Sequence, residues 1–176
     1  CELYTYSEES KEADFVASDI RYVSQPDFVG TEFHISGKYD MEVRLGIPGL
    51  FNVVNALAAV SVCSFLGLDQ ARISHALENI RVNGRMEIVY TSERCTVLVD
   101  YAHNAVSMES LLSTLRDYKP KRLVCVFGCG GNRSKDRRYS MGEIGGKMAD
   151  LSIITADNSR YEKVEDIIAD IRGSIE

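Results

Sequence analysis

The chain has 176 residues, 45% of them hydrophobic and 26% charged, with a formal net charge of −6. This composition is sufficient for a folded core and too apolar for a disordered tail, and the acidic balance argues against binding nucleic acid without regard to sequence. The five cysteines include no CxxC pair, which argues against a disulfide framework or a zinc site and favours a reducing, cytoplasmic compartment. Polar residues interrupt the longest apolar run, so we expect no membrane partner.

The first part of the chain predicts a small β-sheet followed by two helices. Segments 14–23, 28–35 and 40–45 are short and rich in strand-forming residues, with proline and glycine between them. Segment 52–66 is apolar on nearly every side, which predicts a helix that is buried on all its faces. A second helix is predicted after Asp69, an N-cap residue, because apolar residues recur there with helical spacing; they are Ile73, Ala76, Leu77 and Ile80.

The rest of the chain alternates strands with amphipathic helices. A turn at Asn83-Gly84 precedes it, so we expect two domains, 1–83 and 84–176. Continuous apolar strands separated by such helices indicate an α/β, Rossmann-like domain with a parallel sheet that helices cover on both faces; the strands are predicted at 95–100, 122–127 and 151–155. The sequence starts at Cys1 without methionine and stops within an α/β unit, so we expect a piece of a longer protein.

Polar residues follow all three predicted strands, and ligands of an open parallel sheet bind beyond the carboxyl ends of its strands. Asp100 closes the first strand, where a charge is costly unless it faces a crevice or a partner. Together with His103 it can bind a ribose or orient a phosphate. The alternative is that Asp100 or Asn104 caps the next helix.

The second strand leads into a loop that combines glycines with four cations and one acid, a local charge of +3. Glycines let a ligand approach the backbone, and positive charge within an acidic chain predicts an anion site; a solvated turn is the alternative. The loop matches neither the GxGxxG nor the GxxxxGK[ST] fingerprint. Its cations are Arg133, Lys135, Arg137 and Arg138, and its acid is Asp136.

The third strand is followed by Asp157, Asn158, Ser159 and Arg160. A carboxylate accepts hydrogen bonds from an ammonium group, and a guanidinium binds a carboxylate through two bonds, so this segment can recognise a zwitterion. The alternative is an Asx-turn in which Asp157 or Ser159 caps the last helix.

Six motifs in this order resemble the Mur ligase family, and among its members the type that adds a diamino acid to a UDP-N-acetylmuramoyl dipeptide. They are FNVVNALAA at 51–59, GRME at 84–87, DYAH at 100–103, FGCGGNR at 127–133, MGE at 141–143 and DNSR at 157–160. The resemblance implies that 1–83 is the end of a central P-loop ATPase domain. It further implies that 84–176 is most of a Rossmann-like C-terminal ligase domain, incomplete at its C-terminus.

The resemblance implies an ATP-dependent amide ligase of peptidoglycan precursor synthesis that forms an acyl phosphate. ATP and Mg²⁺ would be needed, but the phosphate-binding lysine loop and most Mg²⁺ ligands of the family have no counterpart here, so the chain alone would be inactive. No catalytic or metal-binding residue is therefore assigned. The partners would be the UDP-N-acetylmuramoyl dipeptide and a diamino acid, the enzyme would be a cytoplasmic monomer, and neither nucleic acid nor a membrane would be a partner.

The resemblance also assigns residues to the two small ligands. Those for ATP are Asn52, Asn55, Arg85, Asp100 and His103; those for the amino acid are Arg133, Asp157, Asn158 and Arg160. Members that add meso-diaminopimelate carry Asp-Asn-Pro-Arg at the last motif. Arg160 is kept here, and Ser159 replaces the proline. The presence of Arg160 favours diaminopimelate as the substrate, because lysine lacks the second carboxylate and would leave this guanidinium unpaired.

The sequence departs from the family pattern at one further place, and several alternative functions stay open. Asn104-Ala105 follows His103 where the family usually has Thr-Pro, which predicts a looser helix start. A lysine-adding ligase, a cyanophycin synthetase or folylpolyglutamate synthetase fragment, and a non-catalytic anion-binding α/β module remain alternatives.

Overall fold

The computed structural model describes residues 3–175, and its contacts divide them into two compact units, of which the first ends at Tyr101 and the second begins at Ala102. No helix in this described part is both long and apolar enough to cross a membrane. The predicted boundary at Asn83-Gly84 lies earlier in the chain than this division. The residues between them form a hairpin that belongs to the first unit, and the domain boundary itself stays a prediction.

The first unit opens with a four-stranded sheet in the order β1-β2-β3-β4. Its strands are β1 (Tyr6–Ser7), β2 (Phe15–Gln25), β3 (Phe28–Gly37) and β4 (Met41–Leu45). β1 runs parallel to β2, and the other pairs are antiparallel. The three predicted strands are confirmed, and in β4 the predicted alternation holds, since Met41, Val43 and Leu45 are buried.

Two helices follow the sheet, α1 (Leu50–Phe65) and α2 (Gln70–Asn79). The prediction that the first is buried on all faces is wrong: Val53 and Leu57 are fully buried, but Phe51 and Phe65 are 45% and 60% exposed. The sheet covers one face of α1, and none of the described residues buries the other. The predicted cap of α2 is confirmed, because the Asp69 carboxylate accepts a hydrogen bond from the Arg72 backbone N–H at 3.0 Å.

A hairpin completes the first unit, formed by β5 (Glu87–Thr91) and β6 (Thr96–Val99). The strand predicted at 95–100 is present, but it pairs antiparallel with β5 and not with a parallel neighbour. The reason is the tight turn between the strands, where the Ser92 N–H donates to the Cys95 carbonyl at 2.9 Å. A connection this short joins only antiparallel strands.

The second unit contains three helices and a parallel pair of strands. Its elements are α3 (Ala105–Asp117), β7 (Val124–Phe127), α4 (Asp136–Met148), β8 (Leu151–Ile154) and α5 (Val164–Arg172). The parallel arrangement of β7 and β8 is confirmed, and the Rossmann-like α/β class with it. Helical residues such as Met108, Met141 and Ile171 pack on one face of the pair. Coverage of both faces is not found in this part, because Val126 and Ile153 are 62% and 45% exposed.

The register of these two strands positions the loops that follow them. Phe127 pairs with Ile154, so both strands end at the same edge of the sheet. The loops at 128–135 and 155–163 therefore start side by side, and we call them the glycine loop and the arginine loop.

Candidate functional site

The glycine loop and the arginine loop are in direct backbone contact. The Gly131 N–H donates to the Asn158 carbonyl oxygen at 2.8 Å, and Arg160 Nη1 donates to the Gly131 carbonyl oxygen. A Cβ atom at Gly131 would lie 1.9 Å from the Ser159 carbonyl oxygen, a distance that no side chain tolerates. The sequence predicted that these glycines leave room for a ligand, but at Gly131 the absence of a side chain leaves room for the arginine loop.

Asp157 and Arg160 approach the same point on the glycine loop. A Cβ atom built on Gly130 would lie 3.5 Å from Arg160 Nη1 and 3.9 Å from Asp157 Oδ2. Arg160 has a left-handed φ of 51°, and its N–H donates to Asn158 Oδ1 at 3.3 Å. A carboxylate and a guanidinium therefore lie next to the half-buried backbone of Gly130, an arrangement that suits a zwitterion.

The capping alternative for this segment is not what the structure shows. α5 begins at Val164, its N-cap is Lys163, and no side chain caps it. Asn158 does form a local turn with Arg160, but neither Asp157 nor Ser159 caps the helix. Within residues 3–175, Asp157 has no ion-pair partner, so its carboxylate is available to a ligand.

Arg133 lies on the glycine loop next to an anchored residue. Asn132 has a left-handed φ of 53°, its side-chain oxygen accepts from the Tyr161 N–H at 3.1 Å, and its backbone N–H donates to the Glu162 carboxylate. Arg133 itself is exposed. The contacts of Asn132 thus fix the glycine loop immediately before Arg133.

The predicted cluster of four cations is partly neutralised. Arg138 is 1% exposed and its guanidinium bonds both Glu162 and Asp170 at 2.8 Å, while Lys135 pairs with Asp170 at 3.1 Å. The expected +3 is too large, because acids from later in the chain fold back onto two of these cations. The pKa of Glu162 and the pKa of Asp170 are both lowered, chiefly by hydrogen bonds from Arg138.

Cys129 lies within the glycine loop, and its thiol points into the core. It is 3% exposed, and its thiol contacts the Met141 sulfur at 3.8 Å. Burial raises the pKa of this thiol, which disfavours the reactive thiolate.

Arg85 and Asp100, both assigned to ATP, come together at the base of the hairpin. Asp100 Oδ2 accepts from the Met86 N–H at 2.9 Å, and the Arg85 guanidinium lies over the Tyr101 ring at 4.6 Å from its centroid. Met86 is buried with a left-handed φ of 47°. The hydrogen bond from Met86 to Asp100 therefore fixes the backbone beside Arg85, and Asp100 does not cap α3.

The remaining residues assigned to ATP lie on or beside helix starts. In the first turns of α1, Asn52 Nδ2 donates to the Pro48 carbonyl at 2.7 Å and Asn55 Nδ2 donates to Asn52 Oδ1 at 3.2 Å. His103 is exposed in the second unit, directly before Asn104. Asn104 is the N-cap of α3 and forms a capping box with Ser107, which confirms the capping alternative for this residue.

The pairing of Arg138 with Glu162 was not predicted from the sequence. A signal for the first was present, because Arg138 lies three residues before Met141 and seven before Gly145 on the buried face of α4. Glu162 carries no comparable signal. Among residues 3–175, no group of three or more His, Cys, Asp or Glu side chains could hold a metal ion.

Comparisons with known proteins agree on one family. Residues 84–176 match the family described as Mur ligase, glutamate ligase domain. A UDP-N-acetylmuramoyl-L-alanyl-D-glutamate–2,6-diaminopimelate ligase of Alkaliphilus oremlandii is 42% identical over 168 residues, 94% of this chain and 34% of that protein. The ligase of the same name from Clostridioides difficile is 39% identical over 174 residues, 98% of this chain and 35% of that protein.

Solved structures give the same picture. One of a ligase with that name has a TM-score of 0.71 at 31% identity and covers 98% of this chain and 35% of its own. A folylpolyglutamate synthase of Thermotoga maritima has a TM-score of 0.74 over 93% of this chain and 38% of its own, but its 23% identity shows the fold alone. The chain spans about a third of the length of the curated relatives it matches. Because the family match covers more than half of its residues, the chain belongs to the Mur ligase family.

Proposed function

We propose that this chain is the part of an ATP-dependent amide ligase that binds the incoming diamino acid and one side of ATP. The complete enzyme would add meso-diaminopimelate to UDP-N-acetylmuramoyl-L-Ala-D-Glu in peptidoglycan precursor synthesis. The observation that carries the proposal is the placement of Asp157 and Arg160 beside Gly130. The names of the relatives from A. oremlandii and C. difficile support the substrate.

In the proposed reaction, ATP phosphorylates the carboxylate of the D-glutamyl residue and leaves as ADP. The amine of the diamino acid, after losing a proton, attacks the carbonyl carbon of the acyl phosphate. The C–N bond forms, the C–O bond to phosphate breaks, and inorganic phosphate leaves. The role of Arg133, Asp157, Asn158 and Arg160 is to bind and orient the amino acid, since positioning supplies much of the acceleration in such reactions.

The ATP side of the proposal rests on the family resemblance, which also assigns His103 to the nucleotide. Asn52 and Asn55 would lie at the adenine, Arg85 near the phosphates and Asp100 at the ribose hydroxyls. Mg²⁺ would take most of its ligands from parts of the complete enzyme that lie outside this chain. We also propose that the functional domain boundary lies at Asn83-Gly84, where the family match begins, and that the enzyme is a cytoplasmic monomer without nucleic-acid or membrane partners.

Diaminopimelate is favoured over lysine because of Arg160. The two substrates differ by one carboxylate, and a guanidinium left without that carboxylate disfavours lysine. Ser159 in place of proline does not prevent this role, because Arg160 keeps a defined left-handed backbone and its bond to Gly131. A lysine-adding ligase and a cyanophycin-type ligase would bind a different amino acid at the same loops, and the experiment below separates them.

The test is Arg160→Ala in the complete ligase. Loss of a charge-assisted pair costs about 1.5–3 kcal/mol, so we expect the KM for diaminopimelate to rise roughly ten- to hundredfold while the KM for ATP is unchanged. The matched control is Arg172→Ala, an exposed arginine in the last turn of α5, which we expect to change neither. An equal loss with lysine as the substrate would contradict the assignment of Arg160 to the second carboxylate.

A further inference from the structure

A buried guanidinium connects α4 to the arginine loop and to α5. Arg138 is 1% exposed. Its Nη2 atom donates to both oxygens of Glu162 at 2.8 Å, and its Nη1 atom donates to Asp170 at 2.8 Å. Two bonds to one carboxylate fix the orientation of that carboxylate as well as its distance.

Glu162 uses the same carboxylate to hold the glycine loop. Its Oε1 atom accepts from the Asn132 backbone N–H, and Asn132 directly precedes Arg133. Glu162 itself lies two residues after Arg160 in the arginine loop. One carboxylate therefore joins the segments that carry Arg133 and Arg160, although it is assigned no contact with the amino acid.

We propose that Glu162 is a positioning residue: held by the buried Arg138 guanidinium, it fixes the Asn132 amide and so keeps Arg133 in register with Asp157 and Arg160. This inference rests on the proposed function, because the register matters for a ligand that both loops bind. We expect the binding and reaction of the amino acid to be sensitive to this register, since a displacement of about 1 Å can cost roughly a hundredfold in rate.

Stability alone does not account for this arrangement. Buried ion pairs contribute little net stability compared with apolar residues of the same size. The Nε atom of Arg138 is in addition buried without a hydrogen-bond partner among the described residues, which costs free energy. What the pair supplies is a fixed geometry.

The chain offers a closely matched control at the opposite end of the same strands. Asp150, just before β8, accepts from the Arg116 guanidinium at 3.0 Å and from the Leu123 backbone N–H at 2.6 Å. It therefore has the same two kinds of partner as Glu162. It differs in position, since it lies at the amino ends of β7 and β8 and away from the two loops.

The experiment compares Glu162→Gln with Asp150→Asn in the complete ligase. Each change keeps the shape of the side chain and removes one charge-assisted link, so both are expected to lower the melting temperature. Only Glu162→Gln is expected to raise the KM for diaminopimelate, by roughly tenfold or more, with the KM for ATP unchanged. Equal effects of the two variants on the KM for diaminopimelate, or none from Glu162→Gln, would overturn the proposal.

A second readout needs no substrate and separates this inference from the proposed function. Hydrogen exchange of the Asn132 amide is expected to accelerate in Glu162→Ala, which removes the accepting oxygen, and to stay unchanged in Asp150→Ala. Unchanged exchange in Glu162→Ala overturns the positioning role. If Arg160→Ala fails to affect diaminopimelate while the Asn132 amide responds as expected, the proposed function fails and the link between the loops stands.

Discussion

Arg138 is the only Lys, Arg, Asp or Glu among residues 3–175 that is buried, and its charge is balanced by carboxylates from two other segments. Hydrogen bonds from its guanidinium are the largest cause that lowers the pKa of Glu162 and the pKa of Asp170. Both acids therefore bind protons more weakly in the folded chain than in the unfolded chain. Their contribution to folding is present above the ordinary pKa of a carboxylate, about 4, and is lost as pH falls through the lowered values.

A pH dependence of stability follows from these two acids. We expect the free energy of unfolding to fall as pH decreases below about 4, and to fall less steeply in the double variant Glu162→Gln, Asp170→Asn. Denaturant unfolding between neutral and acidic pH measures both slopes. Glu165→Gln, a change at an exposed acid of α5, serves as the control. A double variant with the slope of the wild type would show that Arg138 does not favour the charged forms.

At the scale of single elements, the start of α3 shows how the chain compensates for a departure from its family. The sequence predicted a looser start where Asn104-Ala105 replaces Thr-Pro. The structure instead has a capping box, in which Asn104 Oδ1 accepts from the Ser107 N–H at 2.9 Å and Ser107 Oγ accepts from the Asn104 N–H at 3.4 Å. The start of the helix is therefore well capped.

This cap is testable by substitution. We expect Asn104→Ala to lower the free energy of unfolding by about 0.5–2 kcal/mol, because one helix N–H loses its partner. Asn104→Ser keeps an acceptor oxygen at the N-cap and is expected to stay close to the wild type. Denaturant unfolding of the three proteins provides the comparison, and an alanine variant as stable as the serine variant would contradict the role of the cap.

The elements themselves were largely predictable from the sequence, whereas their partners were not. Hydrophobic periodicity located the helices and strands, since it reflects which residues face a core. The pairing of β6 with β5 was missed because strand partners depend on turn length and non-local contacts. The exposed face of α1 was missed for a related reason. An apolar helix surface indicates that its burial is favourable, but the sequence does not show which residues cover it.

The part of the candidate site that depends on strand direction was predictable from the sequence. Adjacent parallel strands end at one edge, so the meeting of the glycine loop with the segment Asp157–Arg160 was foreseeable. The link from Arg138 to Glu162 was not, because ion pairs between distant segments depend on the tertiary structure. For the same reason, counting cations along the chain overestimated the charge of the glycine loop.

At the scale of the whole molecule, the chain contains no GxxxxGK[ST] segment. That segment is what cradles the phosphates in P-loop enzymes. We therefore expect this chain on its own to show no ATP hydrolysis, whereas under the proposed function the complete protein is expected to hydrolyse ATP when both other substrates are present. A phosphate-release assay on the two proteins compares them. Hydrolysis by the chain that Asp100→Ala abolishes would contradict the proposed division of labour.

The close approach of Gly131 to the Ser159 carbonyl has a consequence for how chains of this family diverge. Neither loop can change its path alone, because the other occupies the space into which it would move. Altered amino acid selectivity is then expected to arise through paired changes, and a chimera that receives only one loop from a relative would misfold locally. Exchanging 128–135 together with 155–163 is the transplant that preserves their fit.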